Sequence, residues 1–473
     1  MQTARAAQLA DRPDRLSRKT KLGYGIADLG GNLLFTVAGF YFLNFLVDSL
    51  GLAAGLAGTA LFIGTIWDAI TDPAMGYISD RTHTRWGRRR PYMATGAVLL
   101  LIFMVLMFTD PGLREDRQLF VWVVVINCLL NTAYTLVNIP YSALAPELTA
   151  DFHERTVLNG YRMSFAVVGT LVGAGAVVPL VNLFGGTVTG WTITGGILGA
   201  IMAASMLTTV LTVKEQLGAP VKKQTRIIKS YAEVLTLKPF LLAVIPWACH
   251  ITGVTIIQAN LRFFYKHIYE NEGMFQVALL FLLVVSLAFI PVWVRVSKKL
   301  GKKRCYNTGM LIVAAMVLIF VSIGPLLPIW FSFVIMALAG VGFSTQYAIP
   351  YALVPDVVEY DFAENGARRE GVFYGMWTFS SKLGRALAIG MSGWILAAFG
   401  YIEASVTVSD PVQNALALTG IRILVGPVPA FFFVAGVIIL SFYPITKDVY
   451  DQILVKVRAR EEENGSEGGS SIS

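Results

Sequence analysis

Charge is what this sequence has least of. Of its 473 residues, 14% are Asp, Glu, Lys or Arg and 55% are apolar, with a mean hydropathy of +0.62. A soluble chain carries about a quarter charged residues, so the composition excludes a water-soluble globular protein and describes a polytopic membrane protein. Cysteine is scarce as well. Cys128, Cys249 and Cys305 lie in or beside apolar runs at no metal-like spacing, which excludes a disulfide framework and a thiolate metal centre. No glycine-rich nucleotide loop, nucleophile–base pair or metal cluster is present, so nothing points to an enzyme or a cofactor. The net charge of +8 does not mark a nucleic-acid binder, because the Lys and Arg residues are confined to certain loops. Met1–Lys21 is polar and precedes an apolar run too long for a cleaved signal, so no cleavable targeting peptide is evident.

What the chain does have is long apolar runs, each about 20 residues or more, the length needed to cross a bilayer. In the first half they fall near 24–48, 53–79, 92–109, 119–144, 162–184 and 190–213. In the second half they fall near 240–264, 274–296, 306–324, 328–354, 371–399 and 417–443. The connecting loops alternate in charge. The N-terminus, 80–90, 214–238 and 295–304 are basic, whereas 49–53, 185–190 and 325–327 carry no Lys or Arg. Positive loops stay in the cytoplasm, so both termini are expected there and the chain in a cell (inner) membrane.

The two halves also repeat. Gly87-Arg-Arg-Arg-Pro-Tyr92 is answered by Gly301-Lys-Lys-Arg-Cys-Tyr306, and Ile139-Pro-Tyr-Ser-Ala-Leu-Ala-Pro-Glu147 by Ile349-Pro-Tyr-Ala-Leu-Val-Pro-Asp356, at nearly the same offset. A duplicated six-helix unit predicts an all-α protein of twelve transmembrane helices in two pseudo-symmetric bundles, with a binding site near mid-membrane. The expected divisions are a cytoplasmic segment 1–21, a bundle 22–213, a linker 214–238, a bundle 239–445 and a tail 446–473. From Arg458 onward the tail reads as disordered.

The second span breaks the apolar rule in an informative way. WDAITDPAMG (67–76) carries Asp68 and Asp72, and the loop after it carries Arg81, Arg85, Arg88, Arg89 and Arg90. At about 100° per residue, positions i and i+4 fall about 40° apart on one helix face, roughly 6 Å apart along the axis. Two carboxylates at membrane depth are costly and need a partner, and no Lys or Arg lies within a turn. A bound cation or a proton is the partner the sequence implies.

These features resemble the major facilitator superfamily: Gly76-x-x-x-Asp80-Arg81 followed by Gly87-Arg-Arg-Arg is similar to its loop between helices 2 and 3. More narrowly, WDAITDPAMG, NIPYSALAPEL (138–148), ERTVLNGYR (154–162) and RREGVFYGMWTFSSKLG (368–384) resemble the glycoside-pentoside-hexuronide:cation symporters, the melibiose-permease-like family. The resemblance covers nearly the whole chain. It implies a secondary transporter that couples a sugar or glycoside to Na⁺ or H⁺. It also implies a coupling-ion site at Asp68 and Asp72, helped by Thr71 and by Thr135 of the fourth span. Oxygen-only ligands suit a hard cation such as Na⁺, while close carboxylates resist double ionisation and could share a proton.

The substrate side implied by the resemblance includes Asp28, Tyr134, Asn138, Arg162, Trp377 and Lys382. Asp28 would accept sugar hydroxyls, or instead pair with a lysine near Lys21. Arg162 would face the sugar, or instead act as a solvated arginine beside Glu154. A buried Lys382 must pair or lose its proton, so it is expected to face the central cavity and the Asp68–Asp72 pair. Asn138 departs from the melibiose-type pattern, which has Asp there and Trp where this chain has Ser142. That loss makes α-galactosides poor candidates and leaves room for a lysolipid or other amphiphile. Asn138 could also simply cap a kink before Pro140. Tyr141, Tyr161, Tyr347, Tyr351 and Tyr374 are further stacking candidates, and His250, Gln258, Asn260 and Arg262 candidates for the second half. Gly76, Asp80, Arg81 and Arg88 belong to a loop that sets topology and can latch the cytoplasmic side, with Asp80 and Asp356 as its acids. A membrane sensor on the same scaffold is the rival outside transport; a monomer in a lipid bilayer is the expected form.

The charge pattern makes topology directly measurable. Tags at both ends should be inaccessible from outside intact cells, while a label near Ser409 should react. An external C-terminus would contradict the count of twelve.

Overall fold

In the computed structural model the described residues are 16–82, 84–149, 152–213, 233–366, 369–404, 411–446 and 449–457. Much of the expected linker, the end of the tail, Arg368 and Ser409 lie outside them, as does the side chain of Tyr347. Among the described residues every regular element is a helix. In chain order these are α1 (Arg18–Gly25), α2 (Ala27–Val37), α3 (Ala54–Arg81), α4 (Arg90–Met107), α5 (Asp116–Leu148) and α6 (Phe152–Gly175). Next come α7 (Val177–Leu183), α8 (Val188–Thr212), α9 (Lys238–His267), α10 (Met274–Leu300), α11 (Lys302–Ser322) and α12 (Trp330–Phe343). The last are α13 (Thr345–Ala348), α14 (Pro350–Asn365), α15 (Glu370–Ala398), α16 (Ala415–Val425) and α17 (Pro427–Ser441). An all-helical solution suits hydrocarbon, since a helix satisfies its own backbone polar groups.

Eight described helical stretches are long and apolar enough to cross a membrane, and nine if α6 and α7, bent by 44°, form one span. The other three expected spans are present as helices that break the apolar or continuous pattern. The first runs from α2 into two π-helical turns, Ala38–Phe42 and Phe45–Ser49. The tenth is interrupted between α12 and α14, where Pro350 opens a new helix, as proline does. The eleventh, α15, carries Lys382 and Arg385 inside it. Large apolar side chains such as Val284, Leu211 and Phe431 point outward and are 58%, 77% and 67% exposed, the arrangement of a surface solvated by lipid.

The chain divides into two compact units. One comprises Met1–Lys222 with Ile389–Gly420; the other comprises Lys223–Ala388 with Ile421–Ser473. The division point near residue 222 falls within the expected linker, but the C-terminal end of α15 and the segment after it group with the first unit. Small residues make this possible: a Cβ on Gly393 would meet the Ala54 carbonyl at 2.3 Å, and one on Gly58 would meet the Gly393 Cα at 2.8 Å. Trp394 Nε1 donates to Thr59 Oγ1 at 2.9 Å, and Tyr401 Oη donates to Asp48 Oδ1 at 2.7 Å. The Glu403 carboxylate accepts from the Ala54 N–H at 2.8 Å, and an anion at a helix N-terminus is favoured by the helix dipole.

The repeat seen in the sequence is repeated in the backbone. Gly87 and Gly301, equivalent in the two basic motifs, both have positive φ, +104° and +84°, where a side chain would be strained. Each motif also sends a cation to a backbone carbonyl of the matching Ile-Pro-Tyr helix: Arg89 to Ala143 in α5, and Lys302 to Ala352 in α14, the latter at 2.8 Å.

The Gly58–Gly393 contact yields a stability test. Gly393→Val should lower thermal stability by about 1–3 kcal/mol through overpacking. Gly371→Ala, where a Cβ meets nothing within 4 Å, should be neutral or gain up to about 1 kcal/mol from helix propensity. Thermal melts of the two purified variants decide it.

Candidate functional site

Two polar clusters occupy the first unit, and α5 contributes to both. The first cluster lies where α3 faces α5. Asp68 is 4% exposed and Thr135 is 2% exposed. The Thr135 hydroxyl lies 2.9 Å from Asp68 Oδ1 and 3.0 Å from Asp72 Oδ1. Thr71 Oγ1 donates to the Asp68 carbonyl at 3.2 Å and lies 3.5 Å from Thr135 Oγ1. The four residues named from the sequence therefore do converge. Helical spacing explains it: Asp68 and Asp72 share a face of α3, and Thr135 meets that face from α5. Pro73 adds a local effect, since it has no N–H to give the Ala69 carbonyl one turn back. One hydroxyl proton cannot satisfy two carboxylates at once. The donor set, carboxylate and hydroxyl oxygens only, fits a hard cation. Among the described residues no group of three or more His, Cys, Asp or Glu gathers as a metal centre.

The second cluster joins α1, α2, α5 and α6. Arg162 Nε donates to Asp28 Oδ2 at 2.6 Å and Nη2 to Oδ1 at 3.3 Å. The side chains are 21% and 13% exposed. Tyr141 Oη donates to Asp28 Oδ2 at 2.5 Å. The Tyr24 and Tyr141 rings lie 4.7 Å apart, and the Arg162 guanidinium sits 5.0 Å from the Tyr141 ring centre. Each tyrosine hydroxyl also reaches the other's backbone carbonyl, at 3.3 and 3.0 Å. Lys21 pairs with Glu154 at 2.8 Å, while Arg162 pairs with Asp28. Asp28 and Arg162, each named separately from the sequence, are held by one another.

The remaining named residues are dispersed. Tyr134 is buried and meets Phe35 edge-on at 5.0 Å, and Asn138 is half-buried. In the second unit Trp377 is 2% exposed and stacks on Trp247 at 5.4 Å, while Tyr351 on the same Trp247 is 53% exposed. Lys382 is buried in α15. His250 is fully buried with Nε2 2.9 Å from Gln346 Oε1, as a packing histidine would be. Arg262 pairs with Glu272, Nε to Oε1 at 2.6 Å, and the Asn260 amide bonds the Ile256 carbonyl.

In the basic loop Asp80 pairs with Arg89 at 3.3 Å, Arg81 lies 3.7 Å over the Tyr77 ring, and Arg88 is buried. A Cβ on Gly76 would touch Ile139 at 3.7 Å. Asp356 pairs with Lys302 at 2.8 Å. Two participants went unnamed in the sequence reading. Gln346 fixes His250, and Tyr24 stands one helical turn before Asp28, a spacing that could have flagged it. Tyr141 had been marked only as a stacking ring.

The family model for MFS/sugar transport proteins matches residues 23–447. An uncharacterized symporter of Synechocystis sp. is 30% identical, covering 95% of this chain and 98% of its own. A putative glycoside/cation symporter of Escherichia coli is also 30% identical, with coverage of 95% and 97%. Among solved structures, a bacterial homolog of the human lysosomal transporter Spinster, in an inward-facing and unoccupied conformation, is similar in fold. Its TM-score is 0.61 at 15% identity, covering 93% of this chain and 97% of that one.

The Asp28–Arg162 pair predicts a non-additive stability pattern. Arg162→Met strands a buried carboxylate and should cost about 3–5 kcal/mol, whereas adding Asp28→Asn should restore most of the loss. Melting temperatures of the single and double variants measure it.

Proposed function

The chain belongs to the MFS/sugar transport protein family, whose members span the membrane many times and move small molecules, and on that premise we propose cation-coupled symport of a sugar or glycoside by alternating access. The observation that carries the coupling is the single Thr135 hydroxyl lying within hydrogen-bond reach of both the Asp68 and Asp72 carboxylates. Two negative groups this close repel, and a cation placed among them and the threonine oxygens relieves that repulsion while drawing α3 and α5 together. Na⁺ suits the oxygen-only set; a proton shared by the pair is the other coupling ion consistent with it.

The substrate side is Asp28 with Arg162. For Asn138, Tyr134, Trp377 and Lys382 the family resemblance alone carries the substrate assignment. The two clusters communicate through α5. Thr135 and Tyr141 are six residues apart, about 9 Å along the helix, so an ion that fixes Thr135 also fixes the stretch bearing Asn138 and Tyr141. Coupling of this kind is reciprocal: substrate must tighten the ion by the same factor. The paired basic contacts, Asp80–Arg89 and Asp356–Lys302, fit cytoplasmic latches that open and re-form during the cycle.

The test separates ion site from scaffold. Asp68→Asn and Asp72→Asn keep shape while removing one charge each, and either should abolish Na⁺-stimulated substrate binding while leaving residual, ion-independent binding. The expected coupling is about 1–3 kcal/mol, a roughly 5- to 150-fold affinity change at saturating ion. Full Na⁺ dependence in both variants would make the carboxylates structural. Uptake that ignores Na⁺ but rises at acidic pH would assign the pair to a proton. Stabilisation by lysolipids and by no sugar would overturn the glycoside reading.

A further inference from the structure

The Tyr141 hydroxyl stands between two acceptors. It lies 2.5 Å from Asp28 Oδ2 and 3.0 Å from the Tyr24 carbonyl oxygen, and it has one proton to give. In the structure the shorter contact goes to Asp28. That oxygen also accepts from Arg162 Nε at 2.6 Å, whereas Asp28 Oδ1 has only the longer Arg162 contact at 3.3 Å. A sugar presents two adjacent hydroxyls, and binding them to one carboxylate needs a free lone pair on each oxygen. Oδ1 can provide one as it stands. Oδ2 can provide one most readily if Tyr141 lets go.

Letting go is cheap here. The hydroxyl rotor need only swing its proton from Asp28 to the Tyr24 carbonyl, with no movement of either ring, and no buried polar group is left unsatisfied. The ring itself is held by a tilted contact with the Tyr24 ring, and Tyr24 Oη donates in turn to the Tyr141 carbonyl. Charge adds the second half of the argument. Asp28 and Arg162 neutralise one another in a cluster whose side chains are 13% and 21% exposed. An anionic sugar would have to pull Arg162 away from Asp28 and would meet the Asp28 charge while doing so. A neutral sugar disturbs neither charge.

Resting on the proposed transport of a sugar or glycoside, we propose that Tyr141 is a specificity-determining residue. Its hydroxyl reserves Asp28 Oδ2 and yields it to a hydroxyl of a neutral glycoside, so that the site selects neutral glycosides over uronides.

The experiment uses the full-length protein in lipid nanodiscs with saturating Na⁺. A panel of neutral methyl glycosides is titrated alongside methyl β-glucuronide, which replaces a hydroxymethyl group with a carboxylate. Wild-type protein should bind at least one neutral member and prefer it to the glucuronide. Tyr141→Phe removes the competing donor, so the Kd for the best neutral glycoside should fall about fivefold, roughly the factor separating a hydrogen bond to a carboxylate from one to a carbonyl. The glucuronide Kd should not change. Replacing Tyr141 with 3-fluorotyrosine, a stronger donor of similar shape, should move the neutral Kd the other way, an inversion that a packing role would not produce. It also provides a reading should Tyr141→Phe fold poorly. A neutral Kd unchanged or raised in Tyr141→Phe, or lowered by fluorotyrosine, overturns the role of Tyr141 while leaving glycoside transport intact. Preference of the wild type for the glucuronide overturns the selection. Wild-type protein that binds no member of the panel overturns the glycoside reading and this inference with it.

Discussion

Removing a charge from water without a partner costs several kcal/mol, and that cost organises the polar interior of this protein. Asp28 holds Arg162, and Lys21 holds Glu154. Asp361, with no exposed side-chain surface, is held by Arg369, which also reaches Glu233. The Asp68–Asp72 cluster adds a shared hydroxyl to this pattern. Two acids there converge on a threonine, whose one proton satisfies one of them at a time. A pair arranged in this way gains most from a mobile positive charge, which is what a coupling site requires.

The two polar clusters have one helix in common. α5 carries Thr135 to one and Tyr141 to the other, and α5 is anchored at its far end by the Arg89 contact to the Ala143 carbonyl. A shift of α5 cannot leave either cluster untouched. Interiors packed to this degree move between discrete arrangements and do not deform smoothly. The glycine contacts at Gly58 and Gly393 show how close such packing is along α3 and α15.

Much of this was legible in the sequence, for reasons that can be named. Hydrocarbon permits few solutions, so run length and loop charge define the spans, and a carboxylate in a run stands out because the background is apolar. Helical periodicity then puts Asp68 and Asp72 on one face, and the family resemblance, not the repeat, names Thr135 as their neighbour. Three things were not legible. The partner of Asp28 depended on which of two nearby cations reached it, Lys21 or Arg162, a choice made by packing between helices far apart in sequence. The role of the Tyr141 hydroxyl depended on one rotor direction, which no spacing encodes. The grouping of Ile389–Gly420 with the first unit arose from close backbone approach at small residues and from Glu403 reaching the Ala54 N–H, contacts that leave no periodic trace.

The central claim is that ion and substrate are linked through α5, and linkage has a signature that scaffold effects lack. The most direct measurement is a thermodynamic square on wild-type protein. Glycoside affinity is titrated with and without saturating Na⁺, and Na⁺ affinity with and without saturating glycoside. The account predicts that each ligand tightens the other by one and the same factor, about 5- to 150-fold. Glycoside binding that is equally tight with and without Na⁺, at a pH where the carboxylates are ionised, would contradict it.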